Sequence, residues 1–200
     1  MNQRSWAAIL AGATGLAVTA LATATAAAQG PGQSGFHFAV ALGGGQMAIT
    51  CGDCSRGRTN DYAMFVRAGG AVSPGVVLSG KATGWAHRDA GTSTRAGWLN
   101  LVAQIYPNPA GGFYLEGGVG LGRVSADVNR GVLGTARLAA TGPGLEGGAG
   151  FDIHLSPAFS LTPYVSYLYQ AKGRANINGT AIGEQLGANM IHFGFAASWR

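Results

Sequence analysis

The sequence predicts an all-β fold: an eight-stranded, antiparallel, up-and-down transmembrane β-barrel. Three observations carry that prediction. Apolar residues alternate with small or polar ones along eight segments, as the two faces of a strand require. Each segment reaches the roughly 9–11 residues that a tilted strand needs to cross the hydrocarbon core. The links between segments alternate along the chain between short turns and longer polar stretches. Membrane barrels arrange their two ends in this way.

Composition points the same way. Only 10 % of the residues are charged, against about a quarter in an ordinary soluble domain. Gly supplies 35 of the 200 residues, and mean hydropathy is only +0.18. Past the N-terminus no run of about 18 apolar residues occurs, which excludes a bundle of membrane-spanning helices. The formal charge of +5 is spread along the chain rather than blocked. A nucleic-acid surface needs a clustered basic face, so that class is set aside.

The first 28 residues read as a secretory signal peptide. Arg4 gives the positive start, Ala7 to about Leu21 the apolar stretch, and Ala26-Ala27-Ala28 a small-residue cleavage site. Residues 29–34 form a short lead, and 35–200 form one barrel domain. Export makes a disulfide permissible.

The strands follow in order. About 35–47 sets Phe36, Phe38, Val40 and Leu42 against His37, Ala39, Ala41 and Gly43. About 60–72 sets Tyr62, Met64, Val66 and Ala68 against Ala63, Phe65, Arg67 and Gly69, with Phe65 blurring the contrast. About 76–87 places Val77, Ser79, Lys81, Thr83 and Trp85 on the inner face. About 94–106 turns Leu99, Leu101, Ala103 and Ile105 outward and Trp98, Asn100, Val102 and Gln104 inward. About 112–125 turns Phe113, Leu115, Val119 and Leu121 outward and Tyr114 and Glu116 inward. About 142–154 carries Glu146 and Asp152 inward between outward Leu145, Phe151 and Ile153. About 159–171 carries Leu161, Val165, Tyr167 and Tyr169 outward; Pro163 inside it predicts a bulge or a lost ladder bond. The last strand, from near Leu186, ends with Ile191, Phe193, Phe195, Ala197 and Trp199 outward and His192, Gly194, Ala196 and Ser198 inward.

Ser73-Pro74-Gly75, residues 107–112 and residues 155–158 are the short turns. Residues 48–59, 88–93, 126–141 and 172–185 are the longer links. Both ends of the chain then fall on the short-turn side.

Three passages resemble the small outer-membrane β-barrel proteins of the OmpA/OmpX type: residues 107–120, Gly147-Gly148-Ala149-Gly150-Phe151-Asp152, and Leu161-Thr162-Pro163-Tyr164-Val165. The resemblance spans nearly all of the chain beyond residue 28. It implies a bacterial outer-membrane location, contact with the lipid bilayer, and assembly by the outer-membrane machinery. One departure is that Arg200 follows the last aromatic, Trp199.

Candidate chemistry is sparse. Arg67, Lys81, Glu116, Glu146 and Asp152 face the lumen, and an eight-stranded barrel is just wide enough for side chains to fill. They read as a salt-bridged plug, with a gated conduit as the alternative, and the lumen is expected to be filled by polar side chains. Cys51 and Cys54 read as a local loop disulfide; zinc would need two further ligands. His37 and His192 sit on neighbouring strands and are candidates to meet inside. Ser198 and His192 both face inward, which disfavours a lipid-facing catalytic set. No catalytic, metal or cofactor site is expected. Phe113, Tyr167, Tyr169 and Trp199 read as membrane-interface anchors. Arg56, Arg58, Arg88, Arg95, Arg130, Arg137, Lys172 and Arg174 in the longer links suit anionic lipopolysaccharide headgroups. The expected role is structural or surface-interacting. A narrow channel and a soluble, lipocalin-like binder of an apolar ligand are the alternatives.

Overall fold

The computed structural model describes residues 35–51, 57–89, 91–129 and 134–200. The signal-peptide and lead segments, Cys54, Arg56 and Arg130 lie outside the described residues. The elements are β1 (Phe36–Thr50), β2 (Thr59–Ser73), β3 (Val76–Asp89), β4 (Thr92–Ile105), β5 (Phe113–Asn129), β6 (Thr135–Phe151), β7 (Ile153–Ser156), β8 (Phe159–Ile177) and β9 (Thr180–Trp199).

All pairings are antiparallel. The order runs β6-β5-β4-β3-β2-β1-β9-β8-β7, and a further β6–β8 pairing closes the ring. The nine strands make eight staves. Gly150 faces Tyr164 and Ile153 faces Leu161 in one continuous register on β8, so β6 and β7 are a single stave broken at Asp152. In that register Phe151 and Asp152 would face Pro163 and Thr162. The ladder omits just these two positions, because Pro163 has no N–H to give. The lost bond is therefore at the proline, and the bulge is not. The β8–β9 register shifts instead between Gln170 and Gly173.

The faces divide as the alternation requires. Outward positions are apolar and exposed, with Leu99 at 66 % and Phe195 at 59 %. Phe65 is buried inside, so the period in β2 holds. A soluble barrel would need the opposite arrangement, and this exterior removes the lipocalin-like reading. At the lower end, which holds Phe36 and Trp199, an aromatic girdle runs around the outside. Trp199 packs against Phe38 and Phe159 with ring centroids 5.9 and 5.3 Å apart, and Phe113 pairs with Phe151.

The link lengths correct one expectation. The upper links are only residues 51–58, 90–91, 130–134 and 178–179, while the lower link 106–112 is longer than three of them. The asymmetry between the ends lies in the strands, which run on past the apolar belt. Asn178 and Gly179 both take positive φ, 50° and 89°. Two such residues make the hairpin turn whose twist matches the flanking strands. Pairing therefore continues to the tip, and what reads as a loop over 172–185 is mostly ladder.

Candidate functional site

The interior is layered. At mid-height, β2, β3, β5 and β6 converge Arg67, Lys81, Glu116 and Glu146. Arg67 Nη1 donates to Glu116 Oε2 at 2.6 Å, and Lys81 Nζ donates to Glu116 Oε1 at 2.6 Å and to Glu146 Oε1 at 2.5 Å. Asn100 Nδ2 donates to the remaining Glu146 oxygen at 2.8 Å. With its amide oxygen turned toward Arg67, Gln104 accepts from both guanidinium nitrogens, at 2.8 and 3.2 Å. Lys81 also lies over the Phe65 ring, 4.3 Å from the centroid. All four charged groups are buried, Lys81 to 1 % exposure. Burial of charge is tolerated only when each charge is paired and hydrogen-bonded, and here two cations meet two anions.

Asp152 is not part of this cluster. It sits lower, at the break between β6 and β7, and binds a different set. Tyr106 Oη donates to Oδ2 at 2.9 Å, Thr162 Oγ1 donates to Oδ1 at 2.6 Å, and Arg200 Nη2 donates to Oδ2 at 2.5 Å. Arg200 also contacts His154 Nε2 at 2.8 Å. The residue after the last aromatic thus ties the end of β9 to the β4–β5 link and to β8. Sequence reasoning missed this, because the partner of Asp152 is fixed by the stagger of the ring.

Above the charges the interior turns apolar. Met47, Ala63, Trp85, Ala96, Trp98, Val124, Leu168 and Met190 pack together, with Ile49, Leu138 and Ile182 against them toward the upper mouth. The polar filling expected of the lumen is present at mid-height and below, and this apolar layer caps it. Gly45 makes room for the cap. A Cβ there would stand 2.7 Å from Trp85 Cδ1 and 2.9 Å from the Ala63 methyl, and its carbonyl accepts from Trp85 Nε1 at 3.1 Å.

His37 and His192 do not meet. His192 faces Gly45 of β1, eight residues from His37, and its Nε2 lies 2.6 Å from Tyr164 Oη. The stagger of β1 on β9 separates them. His87 pairs with Asp61 at 3.0 Å near the upper mouth. Cys51 is disulfide-bonded; its expected partner Cys54 lies outside the described residues. Phe113, Tyr167, Tyr169 and Trp199 all stand outward and exposed.

The outer wall above the belt is polar. Asp127 accepts from Arg137 Nε at 2.7 Å and Nη2 at 3.3 Å. That hydrogen bond holds the Asp127 carboxyl below the usual carboxylate range. Arg88, Arg95 and Arg123 share this face.

The fold is that of the small eight-stranded outer-membrane β-barrel proteins. The structure of Ail, the attachment invasion locus protein of Yersinia pestis, matches with a TM-score of 0.52 at 14 % identity, covering 80 % of this chain and 97 % of that one. Neisserial surface protein A matches with a TM-score of 0.51 at 15 % identity, covering 84 % and 98 %. No family model matches the sequence, and no curated protein does.

Proposed function

We propose that this protein is a non-enzymatic outer-membrane barrel that presents a basic interaction surface outside the cell. One observation carries the reading. An apolar belt surrounds an interior sealed by a charge cluster and an apolar cap in series, and the strands above the belt continue as a polar wall rich in arginine. Such a body has a membrane anchor and a display surface but no conduit. The signal peptide is cleaved near Ala28, the assembly machinery inserts the chain, and the lower end faces the periplasm. Phe113 and Trp199 anchor the lower interface, and Tyr167 and Tyr169 lie toward the upper one. The upper surface meets anions, lipopolysaccharide headgroups first among them. The solved complex of Ail with the heparin analogue sucrose octasulfate is a case of this fold holding a polyanion.

The channel reading makes the opposite demand on the interior. In planar bilayers the folded protein is expected to give no discrete conductance steps at any holding potential. Reproducible unitary steps would overturn the sealed reading in favour of a narrow channel.

A further inference from the structure

The β8–β9 hairpin rises from the wall across a break in the ladder. Below the break Gly144 faces Gln170, and above it Ala140 faces Ala175, so residues 171–174 stand opposite only 141–143. On the other side Gln170 faces Ala188 and Gly173 faces Leu186, so 171 and 172 stand opposite 187 alone. β8 thus carries one extra residue against both neighbours, a bulge at Ala171 and Lys172. Pro143, with no N–H to give, lies in the same gap. The backbones pinch together there: a Cβ on Gly142 would collide with the Ala171 carbonyl oxygen, and one on Gly173 with that of Thr141.

We propose that the hairpin above this line, from Gly173 to Leu186, is a hinged lid over the apolar cap, latched at its tip by Asn178. The inference goes beyond the basic display surface and does not depend on it.

The lid has few attachments. The β1–β9 ladder stops at Thr50 and Gly187, so on that side Thr180–Leu186 has no ladder partner among the described residues. On the other side three pairs hold it to β6: Leu138 with Ile177, Ala139 with Asn176 and Ala140 with Ala175. Within the lid β9 is loosened again, where residues 182–184 stand opposite 175 alone. The neighbouring wall is built differently. β5 pairs with β6 without a break from Phe113 to Asn129, and with β4 from Leu115 to Val128.

The tip is fastened at one point. Asn178 N donates to the Arg137 carbonyl oxygen at 2.9 Å, and Arg137 N donates to Asn178 Oδ1 at 2.9 Å. The Arg137 side chain in turn holds Asp127 of β5. The latch therefore seats on the unbroken part of the sheet.

The lid covers something. Ala175 and Leu186 are buried members of the cap, and Ile182 packs on it beside Ile49 and Leu138. Burial of these few apolar side chains favours the closed state. A swing about the bulge leaves every pair below Gln170 intact, parts the three pairs to β6 and uncovers Ile49 and Leu138. Units with so few attachments open independently of the body that carries them.

Amide hydrogen exchange of the whole barrel in phospholipid nanodiscs, followed by NMR, tests this residue by residue. In wild type the amides of 174–177 and 181–186 are expected to exchange together. They should do so at least about tenfold faster than those of 164–170 and 188–195 on the same strands. Ala126 faces Leu138, which faces Ile177, so β5 offers a control at the same level; its amides from Val124 to Val128 are expected to stay as protected as the belt. Asn178→Gly keeps the positive φ and removes Oδ1. It is expected to speed exchange of the whole lid about fivefold, from the loss of one hydrogen bond, and to leave β5 unchanged. Deleting Lys172 lets the Ala140–Ala175 and Leu186–Gly173 pairs continue the register that Gln170 keeps, and is expected to slow the lid to the belt rate. A gradual rise toward the tip in place of a step at Gly173 overturns the hinge, as does a lid that stays fast without Lys172. Lid exchange unmoved by Asn178→Gly overturns the latch.

Discussion

Glu116→Leu is expected to destabilise the barrel by about 3–5 kcal/mol, the usual cost of removing one partner from a buried ion pair. Glu116 is the one residue that joins both cations of the central cluster. Without it Lys81 keeps Glu146, but Arg67 keeps only neutral company in Gln104 and the aromatic rings of Phe65 and Tyr114. The penalty therefore falls on Arg67. The double variant Glu116→Leu/Arg67→Met removes that uncompensated charge and is expected to recover most of the loss, since apolar replacement of a whole buried pair is often near neutral. Urea unfolding in lipid vesicles measures both. A single variant costing under about 1 kcal/mol would mean that the cluster is wet and exchangeable, as a gate would be.

Leu101→Arg is expected to cost about 2–4 kcal/mol, the value for a cation on the lipid face at the bilayer midplane. Leu101 is the central outward residue of the β4 belt, which runs from Leu99 through Ala103 to Ile105, and it is exposed to 55 %. In a soluble protein the same change at so exposed a site would fall within about ±0.5 kcal/mol. The same unfolding assay separates the two. Asn100→Ala, one residue away on the inner face, should instead act through Glu146, whose second oxygen it binds.

Period-two alternation was enough to read the faces of all eight staves, and with them the burial of Arg67, Lys81, Glu116 and Glu146. Alternation says which side a residue takes but not its height, and height decides who meets whom. Asp152 shares a face with Glu146 yet binds Arg200, and His37 shares a face with His192 yet never approaches it. Both outcomes depend on the stagger between strands, which no single segment records. The apolar cap had a visible signal: Trp85 and Trp98 stand on inner faces in the sequence and sit beyond the charges toward the upper links. The hairpin at Asn178-Gly179 had one too, since that dipeptide favours a two-residue turn. Reading it would have shortened the link over 172–185 and shown that the strands project above the belt. The shared outer face of Arg88, Arg95 and Arg123 was not legible, because they come from three strands and are brought together only by register.

The central claim is that this chain closes into a barrel embedded in the outer membrane. The most direct measurement is to fractionate the envelope and run the protein unboiled and boiled on a denaturing gel. The account predicts recovery with the outer membrane and a shift in mobility on boiling, because a closed ring of strands resists detergent until heated. Recovery in the soluble periplasm with no shift would contradict it.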